Sequence, residues 1–226
     1  PEFAQLAVDK CKERGLHART VSYYGFPIDT GSILALKLLN PDNRLPAIIV
    51  SSNMYANRAE TIVLGKSVRD AIDASGKKAV VVVVSALSNR LHTVEIKPED
   101  DKIHSLKDHE WNLKFLEYLD KGRLEDVSQL SRQFHEEARV PKVVSFKPFW
   151  IMASMMGQTN LYEGNILAYE PVWGTGSAVV TMTPAEDTAG DLEYDEDDPE
   201  FYKGDREVLD FYEQPEMGPL EGEDGD

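Results

Sequence analysis

Five consecutive valines, Val80–Val84, stand between Gly76 and the polar loop Ser85–His92. A short, unbroken β-branched run is typical of a strand buried on both faces, as at the centre of a parallel sheet. In open α/β sheets, ligands bind just beyond the carboxyl ends of such strands. Ser85–His92 is therefore the first candidate for chemistry, although the same pattern also describes an ordinary loop leaving a core strand.

The segment before the valine run predicts a strand and a helix that lead into it. Leu45–Ser51 is apolar and has the length of a second buried strand. Asn57 and Glu60 have the spacing of a capping box, so the next helix is expected to begin there and to end at Gly76. Together with the valine strand, these elements predict one βαβ unit, which should be right-handed.

Two helices and a short strand are predicted nearer the start of the chain. The opening residues PEFAQLAVDKCKERG have an amphipathic helical pattern, and Arg19–Tyr23 resembles a short strand. Asp29 or Thr30 is a suitable N-cap for a helix over Ile33–Asn40. Because the chain opens directly on a helix and has no initiator methionine, we expect that the N-terminal part of the domain is missing.

The second half of the body predicts helices followed by two strands. Helical patterns cover Asp108–Leu119 and a segment from Leu124 to before Pro141, and Pro148–Gly157 is apolar on nearly every side. Strands over Asn165–Trp173 and Ser177–Thr183 meet at a Gly-Thr-Gly turn, which allows a hairpin or a sharp crossing. The predicted fold class is α/β, with a central, mostly parallel sheet flanked by helices and an acidic C-terminal extension.

The net charge of −16 comes entirely from the end of the chain. Residues 185–226 contain 18 acidic and 2 basic side chains, which leaves 22 of each in residues 1–184. We therefore expect an α/β domain over 1–184 and an acidic tail over 185–226 that is flexible or ordered by a partner. A body without excess positive charge is not suited to neutralising phosphates, so nucleic-acid binding is not expected.

The composition also indicates the cellular compartment of the protein. Cys11 is the single cysteine, so an intrachain disulfide is impossible, as is usual in a reducing cytoplasm. No run of 18 apolar residues and no signal peptide is present in the sequence. The sequence predicts a soluble cytoplasmic protein that does not interact with membranes.

Common catalytic spacings are missing from the sequence. The five histidines form no HxH or HExxH pattern, and there is no GxSxG elbow and no P-loop. His104 and His109 are five residues apart, about 140° around a helix, so they would not share a face. The Gly-Thr-Gly turn lacks the GxGxxG spacing of a dinucleotide site. Spacing alone supports only a soluble α/β domain.

Five stretches of the sequence form an ordered set of motifs, which are FPIDTGS, SSNMYANRAET, VVVVSALSNRLH, HEWNLKFLEYLDKGRLEDV and GTGSAVVTM. Taken in order, they resemble the class III extradiol dioxygenase superfamily, and within it most closely the α subunits of 2-aminophenol 1,6-dioxygenases. The segment GLHARTVSYYGFPIDTGS is the most specific for that subgroup.

The resemblance implies an iron centre whose key positions are altered in this chain. In the family, two histidines and a glutamate hold Fe(II), and a histidine after a Leu-Ser pair acts as acid and base. At the acid/base position this chain has Asn89, and at the glutamate position it has Thr181. The two histidine ligands belong to an N-terminal region that the chain mostly lacks. No metal ligand is therefore assigned to this chain.

Three hypotheses follow. The first is a non-catalytic, α-type subunit that pairs with a homologous catalytic β subunit, which holds Fe(II), in a heterotetramer. The second is an active dioxygenase with unusual ligands, such as His17, His92 and a tail carboxylate. The third is a module that binds a small aromatic compound and contacts a basic partner through its tail. The candidates for lining a substrate pocket are His17, Asp29, Ser88 and His92.

Overall fold

The computed structural model describes residues 2–51, 55–124, 147–156 and 162–185, together with six residues between 124 and 147, which are Val127, Leu130, Gln133, Phe134, Glu137 and Ala138. Five α-helices with defined bounds, one short 3₁₀-helix (Pro98–Asp100) and two strands lie in these ranges, and their architecture is mixed α and β. The helices are α1 (Glu2–Glu13), α2 (Thr30–Leu39), α3 (Arg58–Ser75), α4 (Leu106–Asp120) and α5 (Lys147–Met155), and the strands are β1 (Tyr162–Val172) and β2 (Thr175–Pro184).

Helix α3 packs against both α1 and α5. Its start is the predicted capping box: Asn57 accepts a hydrogen bond from the backbone of Glu60, and Glu60 accepts one from the backbone of Asn57. Its end is the predicted glycine, since Gly76 has a left-handed φ of 63°. Gly65 lies where α3 meets α5, and a Cβ there would be 1.9 Å from the hydroxyl oxygen of Ser154. Only a glycine permits this close approach.

The main core lies between α4, the strands and the helical residues that follow α4. Phe115 of α4 is fully buried, and its ring stacks on Phe134 at 5.1 Å and meets the edge of Phe149 at 4.9 Å. Val127 and Phe134, from the predicted helix after Leu124, are also fully buried. The predicted apolar sides of these helices are therefore confirmed as core. The buried part of α5 is Met152–Met155.

The two strands form an antiparallel hairpin, which confirms one of the two alternatives for the Gly-Thr-Gly turn. Val172 pairs with Thr175, so the turn itself is Trp173 and Gly174. Both have positive φ, 54° and 90°, as a type I′ turn requires. The register slips by one residue between Ile166 and Ala168, which marks a bulge in β1.

The predicted parallel sheet is not shown by the structure. Within the described ranges, Arg19–Tyr23, Leu45–Ser51 and Val80–Val84 have no strand assignment. The burial expected for the valine run is wrong: Val80 is 88% exposed, and Val81, Val82 and Val84 are also exposed. Only Val83 is partly buried, against the core. The physical reason is that a strand is buried by neighbouring strands, and none of the described residues pairs with this run.

The predicted position of helix α2 is confirmed, but none of its residues is buried. Its amino end lies beside the valine run, because a Cβ on Gly31 would be 2.5 Å from a methyl carbon of Val84. At its carboxyl end, the Asn40 side chain exchanges two hydrogen bonds with the backbone of Leu45, at 2.8 and 3.2 Å. The helix is thus attached at both ends to the two stretches that were predicted to be strands.

The acidic tail begins where β2 ends, near Pro184, and residues 186–226 lie outside the described residues, as does Gly157. Predictions about the tail therefore remain predictions. Among the helices of the described ranges, none combines the length and the apolar character that crossing a bilayer demands.

Candidate functional site around Ser85–His92

Ser88 is held in the loop after the valine run by a side chain of α4. Its backbone N–H donates to the Oδ1 atom of Asn112 at 2.9 Å, and Asn112 Nδ2 donates to the Ser88 hydroxyl at 2.7 Å. Ser88 is 1% exposed and Asn112 is fully buried. The carbonyl oxygen of Ser88 also accepts a hydrogen bond from the backbone N–H of Gly176 at 3.2 Å, so all three polar groups of Ser88 are used inside the protein.

The same amide continues the network to the hairpin. Asn112 Nδ2 also donates to the hydroxyl of Tyr169 on β1 at 3.1 Å. That hydroxyl lies 3.1 Å from His109 Nδ1, and the two rings stack at 5.7 Å. Burial raises the pKa of Tyr169, and the hydrogen bond from Asn112 opposes this in part. The phenol oxygen is hydrogen-bonded on two sides, to Asn112 Nδ2 and to His109 Nδ1. We call Ser88, Asn112, Tyr169 and His109 the Asn112 network.

An ion pair between the half-buried Arg90 and the buried Asp108 lies next to this network. Asp108 is fully buried at the start of α4, and its Oδ2 atom is 3.5 Å from Nε of Arg90. Within the described part of the chain, neither Nε of Arg90 nor either carboxylate oxygen of Asp108 forms a hydrogen bond. The attraction between them is therefore that of two charges in a poorly screened environment, and it joins the loop to α4 a second time.

The hairpin turn is held by His92 at the end of the loop and by Asp101 in the segment that follows it. The carboxylate of Asp101 accepts hydrogen bonds from the backbone N–H groups of Trp173 and Gly174. The backbone N–H of His92 donates to the carbonyl of Trp173 at 3.1 Å, and the indole N–H of Trp173 donates back to the carbonyl of His92 at 3.0 Å. These reciprocal contacts keep Trp173 in its left-handed conformation, which is unusual for a residue other than glycine.

The imidazole ring of His92 contacts residues of the segment that follows the loop. Its Nε2 atom is 3.0 Å from the carbonyl oxygen of Lys102 and 3.6 Å from the carboxylate of Asp101. Because a carbonyl only accepts, Nε2 must carry a proton. The ring also stacks on His104 at 5.5 Å, and 14% of the side chain is exposed. His92 therefore links the end of the loop to the segment that contains Asp101, Lys102 and His104.

The other candidates from the sequence lie at the surface. Asn89 is exposed between the buried Ser88 and the half-buried Arg90. Thr181 is exposed on β2, where its register partner is Asn165. His17 is exposed in the segment after α1. The structure thus brings Ser88 and His92 into one loop, and none of the contacts described for that loop involves His17 or Asp29.

Asp29 is the N-cap of α2, which confirms the structural role expected for it. It accepts a hydrogen bond from the backbone N–H of Ser32 at 2.9 Å and another from the Ser32 hydroxyl. The Ser32 hydroxyl, followed by the Ser32 backbone, holds the pKa of Asp29 below its ordinary value.

The cap makes α2 sensitive to acid. A depressed folded-state pKa means that the stabilisation is complete above the unfolded pKa, about 3.9, and is lost as the pH falls through the lower folded value. In a titration followed by carboxyl NMR, the midpoint of Asp29 is expected below 3.9, with loss of α2 amide protection over the same range. Asp29→Asn keeps a cap and should remove the pH dependence. A midpoint at or above 3.9 would contradict the cap.

Sequence reasoning missed Asn112, Tyr169 and Asp101. A signal for Asn112 was available, because it occupies the same face of α4 as Phe115, Leu116 and Leu119, and a polar residue at a core position needs buried partners. Asp101 gave no such signal, since it lies in a charged connection.

Among the described residues, no three His, Cys, Asp or Glu side chains converge to hold a metal ion. Asn89 and Thr181, an amide and a hydroxyl, do not suit Fe(II) either.

Comparison with known proteins identifies the family. The model of the family described as "Catalytic LigB subunit of aromatic ring-opening dioxygenase" matches residues 1–181. The chain belongs to this LigB family. The match confirms the resemblance to extradiol dioxygenases and spans α1, the loop Ser85–His92, the Asn112 network and most of the hairpin.

Two curated relatives of this LigB-family chain come from Pseudomonas sp. The α subunit of 2-aminophenol 1,6-dioxygenase is 29% identical over 184 residues, which is 80% of this chain and 66% of the relative. The β subunit of 2-aminophenol 1,6-dioxygenase is 33% identical over 190 residues, which is 79% of this chain and 61% of the relative. The chain therefore spans less than two thirds of the length of either relative.

Proposed function

We propose that this chain is the non-catalytic, α-type subunit of a heteromeric extradiol dioxygenase. A homologous β-type subunit would hold Fe(II) and open an aminophenol-like or catechol-like ring with O₂. Support comes from membership of the LigB family and from two relatives that are named as the α and β subunits of one enzyme. We further propose a cytoplasmic heterotetramer, as the resemblance implies.

The observation that carries this proposal is the chemistry of two side chains. The resemblance places Asn89 where the family has its acid/base histidine, and Thr181 where it has a glutamate ligand. A side-chain amide has no group that is protonated and deprotonated near neutral pH, so it cannot act as an acid or a base, and a neutral hydroxyl binds Fe(II) far more weakly than a carboxylate. Neither residue can replace the group that the reaction requires.

The surroundings of Asn89 support a structural role for the loop. Ser88 is bound to Asn112, Arg90 faces Asp108, and His92 is bound to the loop and to the hairpin turn. These contacts would preserve the backbone path of a catalytic loop after its reactive side chain has been lost. A subunit that keeps the fold in order to pair with an active homologue has reason to retain them.

Metal analysis of the separated subunits tests the proposal. Purified alone, residues 1–226 should contain far less than one iron per chain and should not open 2-aminophenol or catechol. Purified with its partner from the native host, the complex should show iron and activity, and separation should leave the iron with the partner. Asn89→Ala in this chain should leave kcat of the complex unchanged. Stoichiometric Fe(II) bound by this chain alone would refute the proposal.

One observation favours the alternative of an active dioxygenase. The chain is as similar to the β subunit of the Pseudomonas enzyme as to the α subunit, with 33% and 29% identity. The alternative uses His92 as an unusual iron ligand, for example with His17 and a tail carboxylate, so His92→Ala should abolish ring cleavage by the isolated chain. The contacts of His92 Nε2 with Lys102 and Asp101 leave that atom little freedom to bind a metal.

We also propose that Leu45–Ser51 and Val80–Val84 become neighbouring parallel strands when their exposed sides are covered. The support is their pattern: both runs are uncharged and, except for Ser51, apolar, and α3 with its two caps connects them as in a βαβ unit. The domain would then be α/β over residues 1–184, with the tail over 185–226 outside it.

A further inference from the structure

One surface of the described chain is far more apolar than an ordinary protein surface. It is formed by α2, by Leu45–Val50 and by Val80–Val84, and we call it the valine face. Contiguous exposed apolar area of this kind marks a binding surface. The exposed side chains of the valine face include Leu38, Leu39, Leu45, Ile49, Val80 and Val82.

The three parts of the valine face are connected to one another. Val84 lies against the amino end of α2, at Gly31, and Leu45 is hydrogen-bonded to Asn40 at its carboxyl end. On the opposite side of the valine run, Val83 packs against the main core. One side of the run is therefore already covered by the protein, and the other side is open.

Exposed basic side chains lie beside the valine face. Lys77–Lys78 comes just before the valine run, and Lys37 lies on α2 between exposed leucines. Within the part of the chain that the structure describes, none of these lysines forms an ion pair. The acidic residues that flank α2 are already engaged, since Asp29 caps the helix and Asp42 pairs with Arg44. The valine face is thus uncharged at its centre and positively charged at its border.

The acidic tail contains a segment of complementary composition. Half of the twelve side chains in Phe201–Tyr212 are apolar or aromatic, which is unusual for this tail. The ten residues immediately before it, Asp191–Glu200, include seven acidic side chains and no basic one. An apolar segment beside a run of negative charge matches an apolar face beside unpaired lysines.

We propose that Phe201–Tyr212 binds the valine face of the same chain and places the acidic run Asp191–Glu200 beside the lysines at its border. Sixteen residues separate Phe201 from Ala185, where the described part of the chain ends. They can span about 50 Å, whereas a domain of this size has a radius of gyration of about 16 Å. The tether also keeps the segment at an effective concentration on the order of millimolar.

A second copy of the chain fits the valine face less well than the tail does. Two valine faces placed together would bring the lysines of one border close to those of the other, and each chain has a net charge of −16. Like charges oppose both contacts, whereas the tail brings opposite charge to the border. The inference goes beyond the proposed function, and it depends neither on the parallel-sheet proposal nor on iron.

Paramagnetic NMR of the full chain tests the inference. A nitroxide is attached through Gln214→Cys, just after the segment. The native Cys11 is 2% exposed and burial raises the pKa of its thiol, so the reagent selects the introduced thiol. We expect the methyl signals of Val82 and Leu38 to be lost, and that of Val179 on the hairpin to be far less broadened. Reduction of the nitroxide should restore the lost signals.

A matched pair of tail variants separates specific binding from general proximity of the tail. Leu209→Ser combined with Phe211→Ser removes two apolar side chains of the segment and should restore the signals of Val82 and Leu38 beside the nitroxide. Leu220→Ser removes an apolar side chain of the tail outside the segment and should leave them lost. Both variants keep residues 1–184 unaltered, so a loss of fold cannot explain a difference between them.

A second pair of variants tests the charge at the border. Lys77→Glu combined with Lys78→Glu should weaken the broadening of Val82, because the acidic run then faces like charge. Lys97→Glu reverses the charge of another exposed lysine and should leave the broadening unchanged. Equal effects of the two changes would contradict a contact between the tail and this border.

Three outcomes would overturn the inference. The first is undiminished signals of Val82 and Leu38 beside the nitroxide, and the second is broadening that survives Leu209→Ser with Phe211→Ser. The third is broadening in an isotope-labelled chain without nitroxide when it is mixed with an unlabelled chain that has one, which would place the tail on a second copy. None of these measurements involves iron or turnover, so their failure would leave the proposed function to its own test.

Discussion

Replacing Asn112 by alanine is expected to lower the free energy of unfolding by about 3 kcal/mol, because it leaves several buried polar groups without partners. The amide of Asn112 serves the backbone N–H and the hydroxyl of Ser88 and the hydroxyl of Tyr169. Ser88 is 1% exposed, so water cannot replace the lost partner without opening the structure. Urea denaturation followed by circular dichroism measures the change.

Asn165→Ala is the control for this prediction. Asn165 is exposed on β1, so the same substitution there should change the free energy of unfolding by less than about 0.5 kcal/mol. Equal effects at the two positions would show that the Asn112 network contributes nothing to stability.

A double-mutant cycle adds a test of geometry. A Cβ on Gly176 would lie 2.4 Å from Asn112 Nδ2, so Gly176→Ala alone should be destabilising. Because Asn112→Ala removes the atom that would clash, the two losses should not add. Strict additivity would contradict the close contact between β2 and Asn112.

Replacing Gly65 by alanine is expected to lower the free energy of unfolding by about 2 kcal/mol, opposite in sign to the usual effect. In the middle of an exposed helix, glycine to alanine stabilises by up to about 1 kcal/mol. Here the new methyl carbon would lie 1.9 Å from Ser154 Oγ and 2.5 Å from the carbonyl oxygen of Ile151. The serine can rotate, but the backbone carbonyl cannot, so α3 and α5 must separate.

Ala74→Gly in the same helix is the control for Gly65→Ala. Ala74 is exposed near the end of α3, so glycine there should cost at most about 1 kcal/mol through helix propensity alone. Thermal denaturation of both variants is the measurement. A stabilised Gly65→Ala protein would mean that α3 and α5 do not pack as described.

The ends of elements were predictable because they depend on neighbouring residues. Asn57 and Glu60 cap α3 across three residues, Gly76 ends the same helix, and Asp29 caps α2. The turn at Gly174 was predicted as a hairpin or a crossing for the same reason, since a tight turn needs a residue that tolerates positive φ. The family, too, could be identified from the order of short motifs.

The contacts that define the candidate site were not predictable in this way. Ser88 and Asn112 are separated by 24 residues, and Asn112 and Tyr169 by 57. Asp101 contacts Trp173 across 72 residues. Nothing in the local sequence relates such positions, because each side chain becomes a partner only after α4 and the hairpin have packed together.

The valine run shows that local sequence does not determine burial. Its sequence correctly indicates a preference for extended, apolar surroundings, yet burial depends on neighbours that the run does not contain, and here Val80 is 88% exposed. By itself, the sequence determined most of the helices, the caps of α2 and α3, the position of the turn between the two strands, the charge of the tail and the family. Only the tertiary structure decided which polar groups meet around Ser88 and which apolar residues remain uncovered, because burial and pairing depend on segments that are distant in the chain.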